Sequence, residues 1–161
     1  MNYPDPQSNI SNMIGQMIMV GLRGHTKNDV NSFFDSIKGY SIGGVILYDE
    51  NITTSPYSPH NIRSPKQLIN FTKAIQNYND TPLLIAIDQE GGKVNRLKSD
   101  YGFPESKSWA ELGKIDELKI TKENSELMAQ TLEKHGFNLN FAPVLDLSNN
   151  NKSFIAKKER C

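Results

Sequence analysis

The sequence predicts an α/β fold built on a parallel sheet. Short continuous apolar runs alternate along the chain with segments whose apolar residues recur at helical spacing. Runs of this kind, joined by helical crossovers, are typical of strands buried on both faces of a parallel sheet. The chain has 161 residues, of which 37% are hydrophobic, so its length and composition suit one globular domain of ordinary size.

The first part of the chain supplies two predicted strands and the helix between them. Residues 17–21 form a short apolar run that ends in glycine, which indicates a buried strand. The segment 27–37 predicts a helix, because one apolar stripe falls at i, i+3, i+4 and i+7. That stripe consists of Val30, Phe33, Phe34 and Ile37. A second apolar run predicts a strand over residues 43–48.

A long loop and a well-marked helix come next. Residues 51–63 contain Ser/Thr-rich turn signals and two prolines, which predicts a loop. Ser64 and Pro65 then predict a helix start, with serine as the N-cap and proline in the first helical position. The predicted buried face of this helix consists of Leu68, Phe71, Thr72 and Ile75.

The remaining elements are a third strand, a third helix and a fourth strand. The strands are predicted over residues 83–87 and 138–147, and the helix over about 121–135. Gly136 is the predicted stop of that helix. Its predicted inward residues are Leu127, Met128 and Leu132.

This order of elements leaves two architectures open. Doubly wound sheets and (β/α)₈ barrels both repeat strand and helix in this way. A barrel needs eight such units and typically about 250 residues. The sequence supplies four units, and no helix is predicted after the fourth strand.

Charge and cysteine content narrow the class of function. Lys+Arg and Asp+Glu both number 18, so no basic excess favours nucleic acid or an anionic membrane. No apolar run approaches the length of a membrane span, and no signal peptide is evident at the N-terminus. Cys161 is the only cysteine, which rules out an internal disulfide or a cysteine metal cluster. A cytoplasmic location is expected, and a start further upstream would leave export open.

The most informative segment follows the third predicted strand. The strand runs directly into Asp88, Glu90, a Gly-Gly pair and Arg96. Such a run presents polar groups at the carboxyl edge of the sheet, where α/β enzymes bind their substrates. The Gly-Gly pair on its own indicates a tight turn more than a phosphate site.

Three motifs resemble glycoside hydrolase family 3, in its β-N-acetylhexosaminidase branch. Residues 42–47 (Ile-Gly-Gly-Val-Ile-Leu) are similar to the second strand of that family, and 138–147 (Asn-Leu-Asn-Phe-Ala-Pro-Val-Leu-Asp-Leu) to the fourth. Residues 87–97 (Ile-Asp-Gln-Glu-Gly-Gly-Lys-Val-Asn-Arg-Leu) resemble the branch signature, which usually has Arg where Lys93 stands. The β-glucosidase branch usually has Asp followed shortly by His-Gly at this strand.

The resemblance implies a (β/α)₈ barrel of which this chain supplies about the first four units. Residues 14–161 are then a truncated N-terminal (TIM-barrel) domain, and 1–13 are an N-terminal extension. The family removes terminal β-linked N-acetylglucosamine with retention, through a covalent intermediate on Asp and with His aiding proton transfer. The resemblance implies no metal or cofactor. Neither the nucleophile nor the acid/base has a counterpart here, so the isolated chain is expected to be inactive.

The resemblance also assigns roles to single residues. Asp88, Arg96 and Arg160 are expected to hold the sugar, and Glu90 and Asp146 to support them without touching it. For Asp88 the competing interpretation is a cap on the following turn, for Arg96 a solvated charge, and for Asp146 a helix cap or an arginine partner. Glu90 could be taken for a nucleophile, but the family nucleophile comes from a later strand. Residues 48–50, which follow the second strand, could approach a substrate, but they are interpreted as solvated loop.

Two further interpretations stay open. The chain could be a non-catalytic half-barrel that binds sugar weakly, or that pairs with itself or with a second polypeptide to close the sheet. Four parallel strands leave two open edges, which favour association. An unrelated flavodoxin-like domain is the remaining alternative, although no phosphate-binding loop follows the first strand.

Overall fold

The computed structural model describes residues 6–51, 53, 58–78, 80–147, 149–150, 152–157 and 160. Its helices are α1 (Pro6–Gln16), α2 (Lys27–Ser36), α3 (Pro65–Gln76), α4 (Trp109–Ile115), α5 (Leu118–Lys134) and α6 (Phe154–Lys157). Its strands are β1 (Met19–Gly21), β2 (Gly44–Ile46), β3 (Glu50–Asn51), β4 (Ser58–Pro59), β5 (Leu84–Ile87) and β6 (Leu139–Asn140). A single 3₁₀ turn covers Ser99–Tyr101.

The main sheet confirms the predicted parallel α/β architecture. Its order is β1-β2-β5-β6, and every neighbouring pair is parallel. The strands therefore lie side by side in chain order, whereas a doubly wound sheet reverses direction at a switch point. The winding of the described strands is that of a barrel, and it rules out the flavodoxin-like alternative for them.

Buried apolar side chains of α2, α3 and α5 lie on one face of this sheet. Val45, Ile85 and Ile87 are completely buried, and they share one core cluster with apolar residues of α2, α3 and α5. Successive residues of a strand point to opposite faces. Leu84 therefore points to the other face, and it is 47% exposed although β5 lies inside the sheet. In an eight-stranded barrel this second face lines the interior.

Two of the predicted helices begin as their sequences indicate. The side chain of Ser64 accepts a hydrogen bond from the N–H of Gln67, and Pro65 is the first residue of α3. At α2, Thr26 and Asp29 form a reciprocal capping box. Each cap satisfies N–H groups that have no partner inside the helix. Both helices are thereby fixed at the end that follows a strand.

The fourth strand is much shorter than the predicted span 138–147. Only Leu139 and Asn140 pair with β5 as a strand. Just before them, the side chain of Asn138 accepts a hydrogen bond from the N–H of Ile85 and donates one to the carbonyl of Leu83. These side-chain hydrogen bonds stand in place of backbone hydrogen bonds between the strands. The chain then leaves the sheet before Pro143, which has no N–H to donate.

Several other boundaries differ from the prediction. The first strand begins at Met19, because the exposed Met17 belongs to the turn that follows α1. The predicted loop 51–63 contains β4, which pairs antiparallel with β3 and brings the chain back to the sheet edge. α6 is a single helical turn after the fourth strand, where no helix was predicted.

α5 confirms two of its three predicted inward residues. Met128 and Leu132 are buried in the core, whereas Leu127 is 45% exposed. Leu127 precedes Met128 by one residue and so lies about 100° away around the helix. The helix also begins three residues earlier than predicted, at Leu118, and His135 is its C-terminal cap.

The helices α1 and α4 were not predicted. α1 crosses the predicted boundary between residues 13 and 14, and the division into an extension and a domain stays a prediction. Its apolar residues Ile10, Met13 and Ile14 fall at i, i+3 and i+4, but all three are exposed, so this stripe is not part of the core. In the part of the chain that the structure describes, no helix combines the length and the apolar character that crossing a membrane requires.

Candidate functional site

The candidate site lies at the carboxyl edge of two neighbouring strands. β2 and β5 are adjacent and parallel, so the residues that follow them meet at one edge of the sheet. Asp49 comes shortly after β2, and Asp88 directly follows β5. Because Ile87 faces the helices, Asp88 faces the opposite, uncovered side of the sheet. Its side chain is 30% exposed, which leaves the carboxylate accessible to a ligand.

Gln89 fixes the loop that carries Arg96. Its buried side chain accepts hydrogen bonds from the backbone N–H groups of Arg96 (2.9 Å) and Leu97 (3.1 Å). The same side chain donates to Oδ1 of Asn95 at 2.6 Å. Asn140 holds the backbone of Gln89 in turn, accepting from its N–H and donating to its carbonyl. The sequence analysis gave Gln89 no role, because its partners become neighbours only when the loop folds back.

The guanidinium of Arg96 lies between two carboxylates and an aromatic ring. Nη1 is 3.3 Å from Oδ1 of Asp49, and Nη2 is 4.0 Å from Oδ2 of Asp88. The ring of Tyr48 lies 5.7 Å from the guanidinium carbon, within the range of a cation–π contact. The predicted proximity of Arg96 and Asp88 is therefore present, and a solvated surface charge does not describe Arg96.

Asp49 is a buried carboxylate, which contradicts its interpretation as solvated loop. It is 1% exposed and contacts both Arg96 and Lys98, whose Nζ lies 2.6 Å from Oδ2. Lys98 also contacts Oε1 of Glu50 at 2.5 Å. A carboxylate can be buried only where cations or hydrogen bonds compensate its lost hydration, and Asp49 has two cations.

The two carboxylates change the acidity of Lys98. Partial burial lowers the pKa of this lysine, but hydrogen bonds to Asp49 and Glu50 and their negative charges outweigh burial. The net result is a pKa above that of an ordinary lysine. Lys98 therefore stays charged at any physiological pH and neutralises part of the negative charge beside Asp88.

Glu90 and Arg160 form the second ion pair of the site. Nε of Arg160 donates to Oε2 of Glu90 at 2.9 Å, and Nη2 donates to Oε1, so the pair is bidentate. The Glu90 side chain is 8% exposed and that of Arg160 is 25% exposed. The hydrogen bond to Glu90 raises the pKa of Arg160, and the charges of Asp88 and Asp146 act in the same direction.

The predicted residues thus converge to different degrees. Asp88 and Arg96 lie side by side, while Glu90 brings Arg160 to the same edge across 70 residues of chain. Asp146 is exposed and lies beyond the end of β6, so its predicted position at a strand end is wrong. It acts on Arg160 only through its charge.

Gly91 and Gly92 form the tight turn that their sequence indicated. Both have positive φ, +85° and +56°, and an antiparallel bridge joins Gly91 to Val94. A Cβ at Gly91 would lie 2.2 Å from the carbonyl oxygen of Lys107, and one at Gly92 would lie 2.5 Å from Cβ of Ser108. The turn therefore packs directly against residues 106–108, and side chains on these two glycines would force the turn and that segment apart.

We expect Gly91→Ala to destabilise the protein more than Gly39→Ala. Both positions have strongly positive φ, but a Cβ at Gly39 has nothing within 4 Å. The backbone conformation alone costs roughly 1–2 kcal/mol in each variant. The steric contact at Gly91 adds about 1–3 kcal/mol. Urea unfolding of both variants measures the difference, and equal losses would contradict the packing described for this turn.

Within the described residues, no group of three or more His, Cys, Asp or Glu side chains could hold a metal ion. Cys161 lies outside those residues. What the site offers is a partly exposed carboxylate, two arginine guanidiniums and an aromatic face. Carboxylates and guanidiniums give charge-assisted hydrogen bonds to polar ligands, and hydroxyl groups can both donate and accept. The arrangement suits a ligand rich in hydroxyl or amide groups.

Residues 9–159 match the sequence family described as "Glycosyl hydrolase family 3 N terminal domain". The chain belongs to glycosyl hydrolase family 3. The fold of that domain is a TIM-barrel-like α/β structure, and the parallel sheet described above is a part of it. The family 3 assignment confirms the resemblance found in the sequence motifs.

The relatives of this family 3 chain are hexosaminidases. It is 37% identical to a beta-hexosaminidase of Bordetella pertussis over 112 residues, which cover 66% of this chain and 29% of the relative. It is 29% identical to a beta-hexosaminidase of Xylella fastidiosa over 141 residues, which cover 85% of this chain and 38% of the relative. The chain thus spans about a third of the length of these relatives.

Two solved structures resemble the fold. A family 3 beta-N-acetylglucosaminidase from Paenibacillus sp. str. FPU-7 superposes with a TM-score of 0.72 at 28% identity, covering 88% of this chain and 25% of that protein. NagZ from Neisseria gonorrhoeae in complex with N-trifluoroacetyl-D-glucosamine superposes with a TM-score of 0.62 at 27% identity. The match covers 81% of this chain and 37% of that protein. The second structure shows that this relative binds an N-acylated glucosamine.

Proposed function

We propose that this chain forms the sugar-holding side of a β-N-acetylglucosaminidase site. The observation that carries the proposal is the placement of Asp88 and Arg96 at the carboxyl edge of β2 and β5 in a family 3 domain. Asp88 accepts hydrogen bonds from sugar hydroxyls, and Arg96 and Arg160 donate to ring substituents. The ligand is the terminal N-acetylglucosamine of a β-linked glycan, in keeping with the N-acylated glucosamine that the gonococcal relative binds.

The proposed reaction of the whole protein is hydrolysis with retention. A carboxylate nucleophile forms a covalent glycosyl-enzyme, which water then hydrolyses. We assign neither this nucleophile nor the acid/base to residues 1–161. Glu90, a further carboxylate in the segment after β5, is occupied by its bidentate pair with Arg160. Its role is to hold Arg160 in place, and Asp146 adds only charge.

The assay that tests this function is release of nitrophenol from 4-nitrophenyl N-acetyl-β-glucosaminide. We expect the full-length protein to cleave this substrate and to leave the corresponding β-glucoside nearly intact. A polypeptide of residues 1–161 should show no turnover, because positioning alone does not supply a covalent step. Clear turnover by residues 1–161 that Asp88→Ala abolishes would contradict the proposed division between holding and cleaving.

A second candidate is a half-barrel that associates through its uncovered face. Leu84 and Phe141 are 47% and 52% exposed, which is unusual for apolar side chains in or directly next to a sheet. We propose that either a second copy or a second polypeptide covers them. Size-exclusion chromatography with light scattering tests self-association, since a concentration-independent monomer would contradict pairing with itself.

The cytoplasmic location also stays a prediction, which cell fractionation tests.

A further inference from the structure

We propose that Asp49 is a positioning residue that sets the orientation of Arg96 toward Asp88 and the sugar. This inference rests on the proposed function of the site. Asp49 is 1% exposed, so its carboxylate does not reach a ligand itself. Whatever effect it has on binding must pass through the groups it touches, Arg96 and Lys98.

The two partners of the ion pair are each held by their own backbone contacts. The carbonyl of Asp49 accepts from the N–H of His60 at 2.7 Å, and Tyr48 beside it exchanges hydrogen bonds with Asn61. On the other side, Gln89 fixes the backbone of Arg96. Since neither backbone is free to move, the Asp49 carboxylate determines where the guanidinium lies.

The distances show which carboxylate holds Arg96. Nη1 lies 3.3 Å from Asp49, within hydrogen-bond distance, while the 4.0 Å between Nη2 and Asp88 is beyond it. The Arg96 guanidinium is thus held through Nη1 by Asp49, and the Tyr48 ring packs against it. Its Nη2 points toward Asp88, and the N–H donors on that side are available to a ligand. Without Asp49, Arg96 would turn to pair fully with Asp88 and occupy the sugar's acceptor.

A variant of Lys98 distinguishes this positioning role of Asp49 from a role as a buried charge alone. It neutralises Asp49 through Oδ2, whereas Arg96 contacts Oδ1. If Asp49 acted only as a buried charge, removal of either cation or of the carboxylate would have the same consequence. If Asp49 orients Arg96, then Asp49→Asn must weaken sugar binding more than Lys98→Met.

The first test is the rotation of arginine guanidinium groups in the full-length protein, measured by NMR. We expect Arg96 to rotate about its Nε–Cζ bond much more slowly than the exposed Arg23, and Asp49→Asn to remove this difference. The comparison of Arg96 with Arg23 uses only the unmodified protein, so it requires neither a sugar nor a stable variant. Equal rotation of Arg96 and Arg23 in the unmodified protein would overturn the proposal.

The second test is titration of the same full-length variants with N-acetylglucosamine. We expect Asp49→Asn to raise the Kd about tenfold or more, as the loss of an oriented charge-assisted hydrogen bond does. Lys98→Met should raise it less, and the exposed Asp80→Asn should not change it. Unchanged affinity in Asp49→Asn, with binding by the unmodified protein, would overturn this inference alone. Absence of binding by the unmodified protein would overturn the proposed function and this inference with it.

Discussion

Replacement of Asp88 by Asn in the full-length protein should lower kcat/KM on the N-acetylglucosaminide by about 100- to 1000-fold. A carboxylate that accepts from two sugar hydroxyls contributes roughly 1.5–3 kcal/mol per hydrogen bond, and each 1.4 kcal/mol is a factor of ten. Asn keeps the shape but loses the charge and one acceptor oxygen. The effect is large because Asp88 is the accessible carboxylate beside Arg96.

The matched control is Asp80→Asn, which makes the same chemical change at an exposed turn before β5. Asp80 precedes the strand, so it lies toward the opposite edge of the sheet from Asp88. We expect less than twofold change in kcat/KM for this variant and little change in melting temperature for either. A threefold or smaller loss in Asp88→Asn would show that this carboxylate does not hold the substrate.

Glu90→Gln should reduce both stability and sugar binding, because it breaks the bidentate pair with Arg160. Removing one partner of a buried ion pair leaves the other charge uncompensated. Since the Arg160 side chain is 25% exposed, water screens part of that loss, and we expect about 1–2 kcal/mol of unfolding free energy. Sugar affinity should fall as well, because Arg160 is no longer held beside Asp88.

A double-mutant cycle of Glu90→Gln and Arg160→Met measures this coupling. The double variant should lose less unfolding free energy than the sum of the losses in the two single variants. The reason is that each single variant leaves one unpaired charge, whereas the double variant removes both charges. Glu133→Gln, on the exposed side of α5, is the matched control for the loss of a carboxylate. Strict additivity in the cycle would contradict a direct role of Glu90 in holding Arg160.

Local sequence signals were sufficient for the parts of the fold whose stabilisation is local. The stripe of α2, the Ser64-Pro65 start of α3 and the apolar run of β5 each carry their own pattern, and all three elements formed as predicted. The order of these elements left two windings open. Only the pairing of the strands shows that they follow one another as in a barrel.

Elements that depend on distant partners were harder to predict. The start of the fourth strand depends on the side chain of Asn138, which accepts a hydrogen bond from Ile85 of β5, 53 residues away. α1 was a different case, because its apolar residues Ile10, Met13 and Ile14 do fall at the helical spacing i, i+3 and i+4. The helix was missed because residues 1–13 were interpreted as an N-terminal extension, and the structure leaves this stripe exposed.

The site shows the same division between local and distant information. Asp88 and Arg96 were identified because they share one short motif that follows a strand. Asp49 was misread because its burial depends on Arg96 and Lys98, which lie 47 and 49 residues away. One signal could have found it: Asp49 is a carboxylate three residues after the buried strand β2, at the same edge of the sheet where Asp88 follows β5.

The most direct test of the central claim is a ¹H–¹⁵N chemical-shift titration of residues 1–161 with N-acetylglucosamine. The claim is that these residues hold the sugar and do not cleave it. It predicts shifts concentrated in the arginine side chains of Arg96 and Arg160 and in the backbone amides of residues 88–90, lost in Asp88→Asn, with the sugar unchanged. Shifts that cluster elsewhere, or that persist in Asp88→Asn, would contradict it.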